Sequence, residues 1–211
     1  PITVVTRPGS LVHAEFPAPV AHGNIQTAQR IVDAILGAFE VFTEGLVPAA
    51  SSGSMSMVTV GGIDPRTGRY YSYVETYGGG QGAYPDLHGA SATHTHMTNT
   101  RNTPCEVIER EYPLRVEAYE IARGTGGDGE HGGGDGLYRR LRLTDGEAIV
   151  VPGTSRVTTR PWGLAGGEDG TPALVEVHRA DGATPLPSLS RVDLRAGEGV
   201  SIRTAGGGGY G

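Results

Sequence analysis

Two periods of apolar and polar positions divide the chain. From Asn24 onward Ile25, Ala28, Val32, Ile35, Leu36 and Phe39 recur at helical spacing, with Gln26, Gln29, Arg30, Asp33 and Glu40 on the other face. Asn24 suits the N-cap, because its side chain accepts from the free N–H groups of a first turn. Gly45 suits the position just past the last turn. The apolar stripe is wide, so we expect this helix to pack on a sheet. Elsewhere the period is two. Ile2–Thr6, Leu114–Ile121, Tyr138–Leu143, Glu147–Val151, Ser155–Thr159, Ala173–His178, Arg191–Leu194 and Gly199–Thr204 read as strands. Val58–Val60 and Arg69–Thr76 form a hairpin around Asp64-Pro65-Arg66-Thr67-Gly68. Glu106–Pro113 shows mixed periodicity and is assigned to neither class.

The pattern predicts an α+β, β-rich fold. One long helix packs on a sheet in an α+β part (residues 1–113), followed by an all-β C-terminal sandwich or open barrel (residues 114–211). Pro48–Met57 is small and polar, yet its two Met argue against a surface loop. The closing run Gly206–Gly209 with Tyr210 leaves two readings open, a disordered tail or a segment wrapped under a partner chain.

Composition sharpens this picture in three places. Gly accounts for 35 of 211 residues, over twice the usual share, and it clusters in loops without a period. The net charge is −6 and no basic run occurs, so nucleic acid and anionic membrane are not expected partners. A single Cys, Cys105, excludes a disulfide within the chain and fits a reducing compartment. With no apolar run long enough to span a membrane, a cytoplasmic protein is the expectation.

The candidate chemistry gathers in Ser91–Pro104, where two His, two Asn, one Arg and a series of hydroxyl side chains follow one another. His94 and His96 share a face if the backbone is extended, close enough to meet one ion or one anionic substrate. Two imidazoles fall short of the three or four ligands a metal site needs. The same rings would serve equally as partners for loop backbone. Arg101 offers a bidentate fork and Asn99 an oxyanion donor, while Asn and Thr in such a loop also satisfy turns. The run Gly78–Gly82 lets backbone approach a ligand closely, which makes Gly79 and Gly80 candidate substrate contacts beside Thr98 and Asn102. No glycine run has a phosphate-loop pattern, and no Lys exists to complete one, so nucleotide binding by this chain alone is not expected.

Several ordered blocks resemble the hydantoinase B/5-oxoprolinase family, which includes N-methylhydantoinase B and large subunits of acetone carboxylase. They are Gly23-Asn24-x-x-Thr27-x-Gln29-Arg30-Ile31-Val32-Asp33, Pro48–Ser51, and Ala92-x-His94-Thr95-His96-Met97-Thr98-Asn99-Thr100-Arg101-Asn102-Thr103-Pro104. Further on come Glu106-x-x-Glu109-Arg110-Glu111-Tyr112-Pro113, Gly132–Gly136, Pro161–Gly167 and the Gly206–Gly211 tail.

The resemblance implies the C-terminal portion, or a split subunit, of a B-type subunit in an ATP-dependent cyclic-amide hydrolase of hydantoinase, 5-oxoprolinase or lactamase type. The alternatives it carries are a ketone carboxylase of the acetone carboxylase type and a non-catalytic structural half-subunit. It implies a companion A-type ATPase subunit holding ATP and Mg, a separate chain supplying the front half, and a small cyclic amide as substrate. A divalent metal, zinc, manganese or iron, would be held mainly by that front half, with His94 and His96 the candidate ligands here. His94, His96, Asn99 and Arg101 then form the catalytic wall, and Thr98, Asn102, Gly79 and Gly80 the substrate-binding one. Pro1 is expected to be a real or processed start.

Overall fold

The computed structural model describes residues 3–43 and 45–211, with the side chains of residues 21–24 also outside the description. Helix α1 runs Ala21–Thr43. The hairpin β1 (Ser56–Asp64) and β2 (Arg69–Tyr77) follows, then helix α2 (Cys105–Glu111) and β3 (Leu114–Ala122). After these come β4 (Gly136–Leu143), β5 (Glu147–Gly153), β6 (Leu174–Arg179), β7 (Gly182–Pro185), β8 (Val192–Arg195) and β9 (Gly199–Arg203).

The pairings between these strands are all antiparallel and build two sheets, of order β2-β1-β5-β8 and β3-β4-β9-β6-β7. The sheets do not close into a barrel. One buried cluster draws Val58, Tyr73 and Val150 from the first sheet and Leu141, Val175 and Ile202 from the second. This is sandwich packing, with the inward residues of each strand supplying the core. Ile108 of α2 is wholly buried in the same cluster, which explains the mixed periodicity of that stretch: a helix under two turns long shows no full amphipathic repeat.

The β1–β2 turn forms as its sequence requires. Asp64 Oδ1 accepts from the Arg66 N–H at 2.9 Å, and Gly68 takes φ +67°. Tyr71, Tyr73, Glu75 and Tyr77 of β2 turn inward, and Leu137, Arg139, Leu141 and Leu143 of β4 meet them from the other sheet. A buried ion pair therefore crosses the sandwich, with Arg139 Nη2 3.0 Å from Glu75 Oε2. Tyr119 lies over the guanidinium at 4.2 Å. Burial raises the Tyr73 and Tyr77 phenols well above their usual range.

Four expectations change. Thr3–Thr6 carry no strand, and Pro1 and Ile2 lie outside the described residues; Val4 and Val5 stand exposed with no strand to pair with. Ser155–Thr159 is irregular because Arg156 takes φ +64°. Helix α1 begins upstream of Asn24, whose side chain is outside the description, while Gly45 has the expected φ of +82°. Finally, α1 turns Gln29 and Asp33 inward and leaves Ile35, Phe39 and Phe42 exposed. Polar partners on the loops beneath, not the apolar stripe, set its orientation.

The glycine-rich loops hold one another. Gly207 donates to Gly134 O and accepts from Gly127, Gly134 donates to Gln81 O, and Gly208 donates to Ala50 O. A Cβ on Gly207 would run into the backbone of Gln81 and Gly82. Absence of side chains is thus what allows backbone to lie on backbone. Gly206–Tyr210 is buried inside this net, so the tail is neither loose nor reserved for another chain. Most of Pro48–Met57 is buried too, Ala49–Ser54 and Met57 included, in agreement with the reading of its two Met.

Candidate functional site

The segment Ser91–Pro104 is strapped between α1 and β2, and each strap uses side chains the sequence places there. At its start Gly79 and Thr93 exchange both backbone hydrogen bonds, at 2.9 and 2.8 Å. Gly79 and Gly80 are buried, Gly80 donating to Ala205 O, so their close approach is to other backbone. On the helix side, Gln29 Nε2 donates to Thr95 O at 3.1 Å and Gln29 Oε1 accepts from the Met97 N–H at 2.8 Å. Both ends of one buried amide therefore fix the loop around His96.

His96 itself takes φ +55°. A left-handed conformation costs a non-glycine residue about 1–2 kcal/mol, and the contact it permits is with Asp33. His96 Nε2 lies 3.1 Å from Asp33 Oδ1. Asp33 Oδ2 accepts from Arg156 Nη2 at 2.7 Å, and Arg30 Nη1 approaches to 3.8 Å. The side chains of Asp33 and Arg156 are 2% and 1% exposed, and that of His96 13%. Gly53, at φ +57°, completes the pocket, because a Cβ there would strike Asp33 Oδ2. Trp162 closes the far side, its ring 5.1 Å from the Arg156 guanidinium. Burial, then repulsion from Arg30, pushes Arg156 below the usual guanidinium range, and Asp33 opposes both.

His94 belongs to a different group. Its Nε2 lies 3.1 Å from Thr100 Oγ1, and that hydroxyl bonds in turn with Thr76 of β2. Burial lowers the His94 pKa from 6.5, which favours a neutral ring. Asn102 is held at both ends, donating to Thr76 O at 2.7 Å and accepting from Tyr119 Oη–H at 2.8 Å. Thr98 Oγ1 donates to Thr95 O within its own turn. Asn99 and Arg101 are exposed.

The structure thus gathers His94, Thr100 and Asn102 on the strand side and His96 on the helix side. The two imidazoles engage separate partners, because the left-handed turn at His96 breaks the extended backbone on which their shared face depended. Among the described residues no three His, Cys, Asp or Glu side chains come together in a metal-ligand arrangement. The donors present do not fit a metal centre.

Sequence reading missed Asp33, Gln29 and Arg156. The first two lay on the polar face of the helix, to which no role was given, and their i, i+4 spacing on one stripe was the available signal. Arg156 lay in an expected strand and carried none.

A family model described as hydantoinase B/oxoprolinase matches residues 1–211. The chain belongs to that family. The 5-oxoprolinase of Dictyostelium discoideum is 36% identical over 212 residues, covering 100% of this chain and 16% of that protein. Among solved structures, the hydantoinase B/oxoprolinase chain is similar to the ATP-dependent caprolactamase from Pseudomonas jessenii. The TM-score is 0.72 at 22% identity, over 94% of this chain and 36% of that one. Nucleotide-free acetone carboxylase shares the fold with a TM-score of 0.57 at 15% identity, over 90% and 30% of the two chains. The chain therefore spans a small part of the length of the relatives it matches. Among the described residues no helix is long and apolar enough to cross a membrane.

Proposed function

We propose that this chain contributes one wall of the active site in an ATP-dependent enzyme that opens cyclic amides. The observation that carries the reading is the 36% identity to a 5-oxoprolinase along the whole chain. In the net reaction ATP and water give ADP and phosphate, and a second water adds OH to the carbonyl carbon and H to the ring nitrogen as the C–N bond breaks. His96 moves that proton, neutral His94 offers a hydrogen bond, and exposed Asn99 and Arg101 orient the substrate. Thr98 and Asn102 shape the loop that meets it; Gly79 anchors that loop through Thr93, and Gly80 holds the backbone behind it through Ala205 and Ser52.

ATP and Mg belong, in this proposal, to an A-type ATPase subunit. The divalent metal belongs to the front half of the B-type polypeptide, a placement supported by the separate engagements of His94 and His96. The exposed apolar face of α1 is where we place that front half. Ile35, Phe39 and Phe42 are 49%, 52% and 83% exposed there.

The test combines the chain with the family's A-type subunit and B-type front half, then supplies ATP with 5-oxoproline, a hydantoin or a lactam. Mass spectrometry should find the ring-opened acid, formed without bicarbonate. Product formed only from a ketone and bicarbonate would overturn the assignment in favour of carboxylation.

A further inference from the structure

We infer that Asp33 is a positioning residue that fixes the tautomer of His96 and presents its Nδ1 as the proton acceptor. The inference deepens the proposed ring-opening role and rests on it for the identity of the proton donor, a water molecule. Its geometric part stands alone.

The argument follows from the hydrogen-bonding capacity of three groups. A guanidinium has only donors, so the Asp33 oxygen facing Arg156 Nη2 at 2.7 Å must accept. With Arg30 Nη1 also near that oxygen, a proton has no place on it. A proton on the other oxygen would leave two guanidiniums facing a neutral acid, so Arg156 and Arg30 hold Asp33 as a carboxylate, which is acceptor-only. Its other oxygen, 3.1 Å from His96 Nε2, also accepts, which puts the imidazole proton on Nε2. A neutral ring then has its lone pair on Nδ1.

The surroundings serve this one contact. Gln29 fixes the backbone on either side of His96 through Thr95 O and the Met97 N–H. Residues at both ends of the carboxylate's contacts, His96 and Arg156, hold left-handed backbone to reach it. A buried ion pair alone would need Arg156 and not a strained histidine. Asp33, Arg156 and His96 form a relay in which the arginine orients the carboxylate and the carboxylate orients the ring.

Replacing Asp33 by Asn gives a sharp reversal. The amide oxygen must face the donor-only Arg156, so the NH2 faces His96. Nε2 must then accept, and the ring proton moves to Nδ1. Long-range 1H–15N correlation spectra of the full chain at pH 9 read this directly, well above the ordinary imidazole value of about 6.5. The expected result is the Nε2–H tautomer in the wild type and Nδ1–H in folded Asp33→Asn. A wild-type Nδ1–H ring, a ring doubly protonated at pH 9, or an unchanged tautomer in folded Asp33→Asn would each overturn the inference. If Asp33→Asn does not fold, the wild-type spectrum alone decides. In the assembled enzyme the same substitution should lower kcat on the order of 10²-fold, and unchanged kcat with a reversed tautomer would overturn the positioning role. Absence of ring opening by the assembled wild-type enzyme would instead sink the proposed function and leave the tautomer result in place.

Discussion

At the scale of single residues, the chain places charge where the alternation of its strands leaves no escape to water. Glu75 sits at an inward position of β2, among three tyrosines, and Arg139 at an inward position of β4. Removing one member of such a pair leaves a buried charge unmatched, which costs about 3–5 kcal/mol. Urea unfolding of Arg139→Met and of Glu75→Gln should each show a loss of that size, and the double variant less than their sum. Additive losses would mean that the two groups do not act as a pair. Glu75 was legible as a polar residue in a strand but not as a buried one, because only the partner strand, far along the chain, determines which face is covered. Asp33 failed for a related reason. A polar residue on an amphipathic helix reads as solvent-facing unless something shows that the loops beneath it are polar as well.

At the scale of elements, strands were easier to read than the orientation of the helix. The β1–β2 hairpin follows from a tyrosine-rich alternation and an Asp-Pro-x-x-Gly turn that tolerate little else. β7 was missed, since Gly182–Pro185 is an exposed edge strand with no apolar alternation. α1 was found, yet Ile35, Phe39 and Phe42 point outward while Ile25, Ala28, Val32 and Leu36 are half-buried. Docking of the B-type front half on that face predicts the behaviour of Phe39→Ser/Phe42→Ser. Its affinity for that polypeptide should fall at least tenfold, roughly 1.4 kcal/mol. The stability of the chain alone should stay within about 0.5 kcal/mol, as for other exposed positions. Calorimetric titration and thermal unfolding measure the two, and unchanged affinity would place the interface elsewhere.

At the scale of the whole molecule, glycine does what apolar side chains do in the sandwich. The loops at 78–82, 125–134 and 161–170 enclose the segment 204–211 by backbone hydrogen bonds. Composition announced many loops; it did not announce that they bind one another, because a glycine run carries no pattern to show a partner. Gly207→Ala should cost about 3 kcal/mol, the upper end for overpacking, since rigid backbone surrounds the site. Gly68→Ala, in open space, should cost only the left-handed penalty of about 1 kcal/mol. Equal losses in thermal unfolding would argue against the net. The two-sheet fold was thus largely readable, and the polar segment was correctly singled out, but its two-sided attachment was not.

The central claim is that His96, held on Asp33, moves a proton as a cyclic amide opens. Turnover by the assembled enzyme carrying His96→Ala tests it most directly, with assembly verified by mass. The account predicts ring-opened product lowered on the order of 10²-fold or more while the subunits still associate. Full turnover by that assembled variant would contradict it.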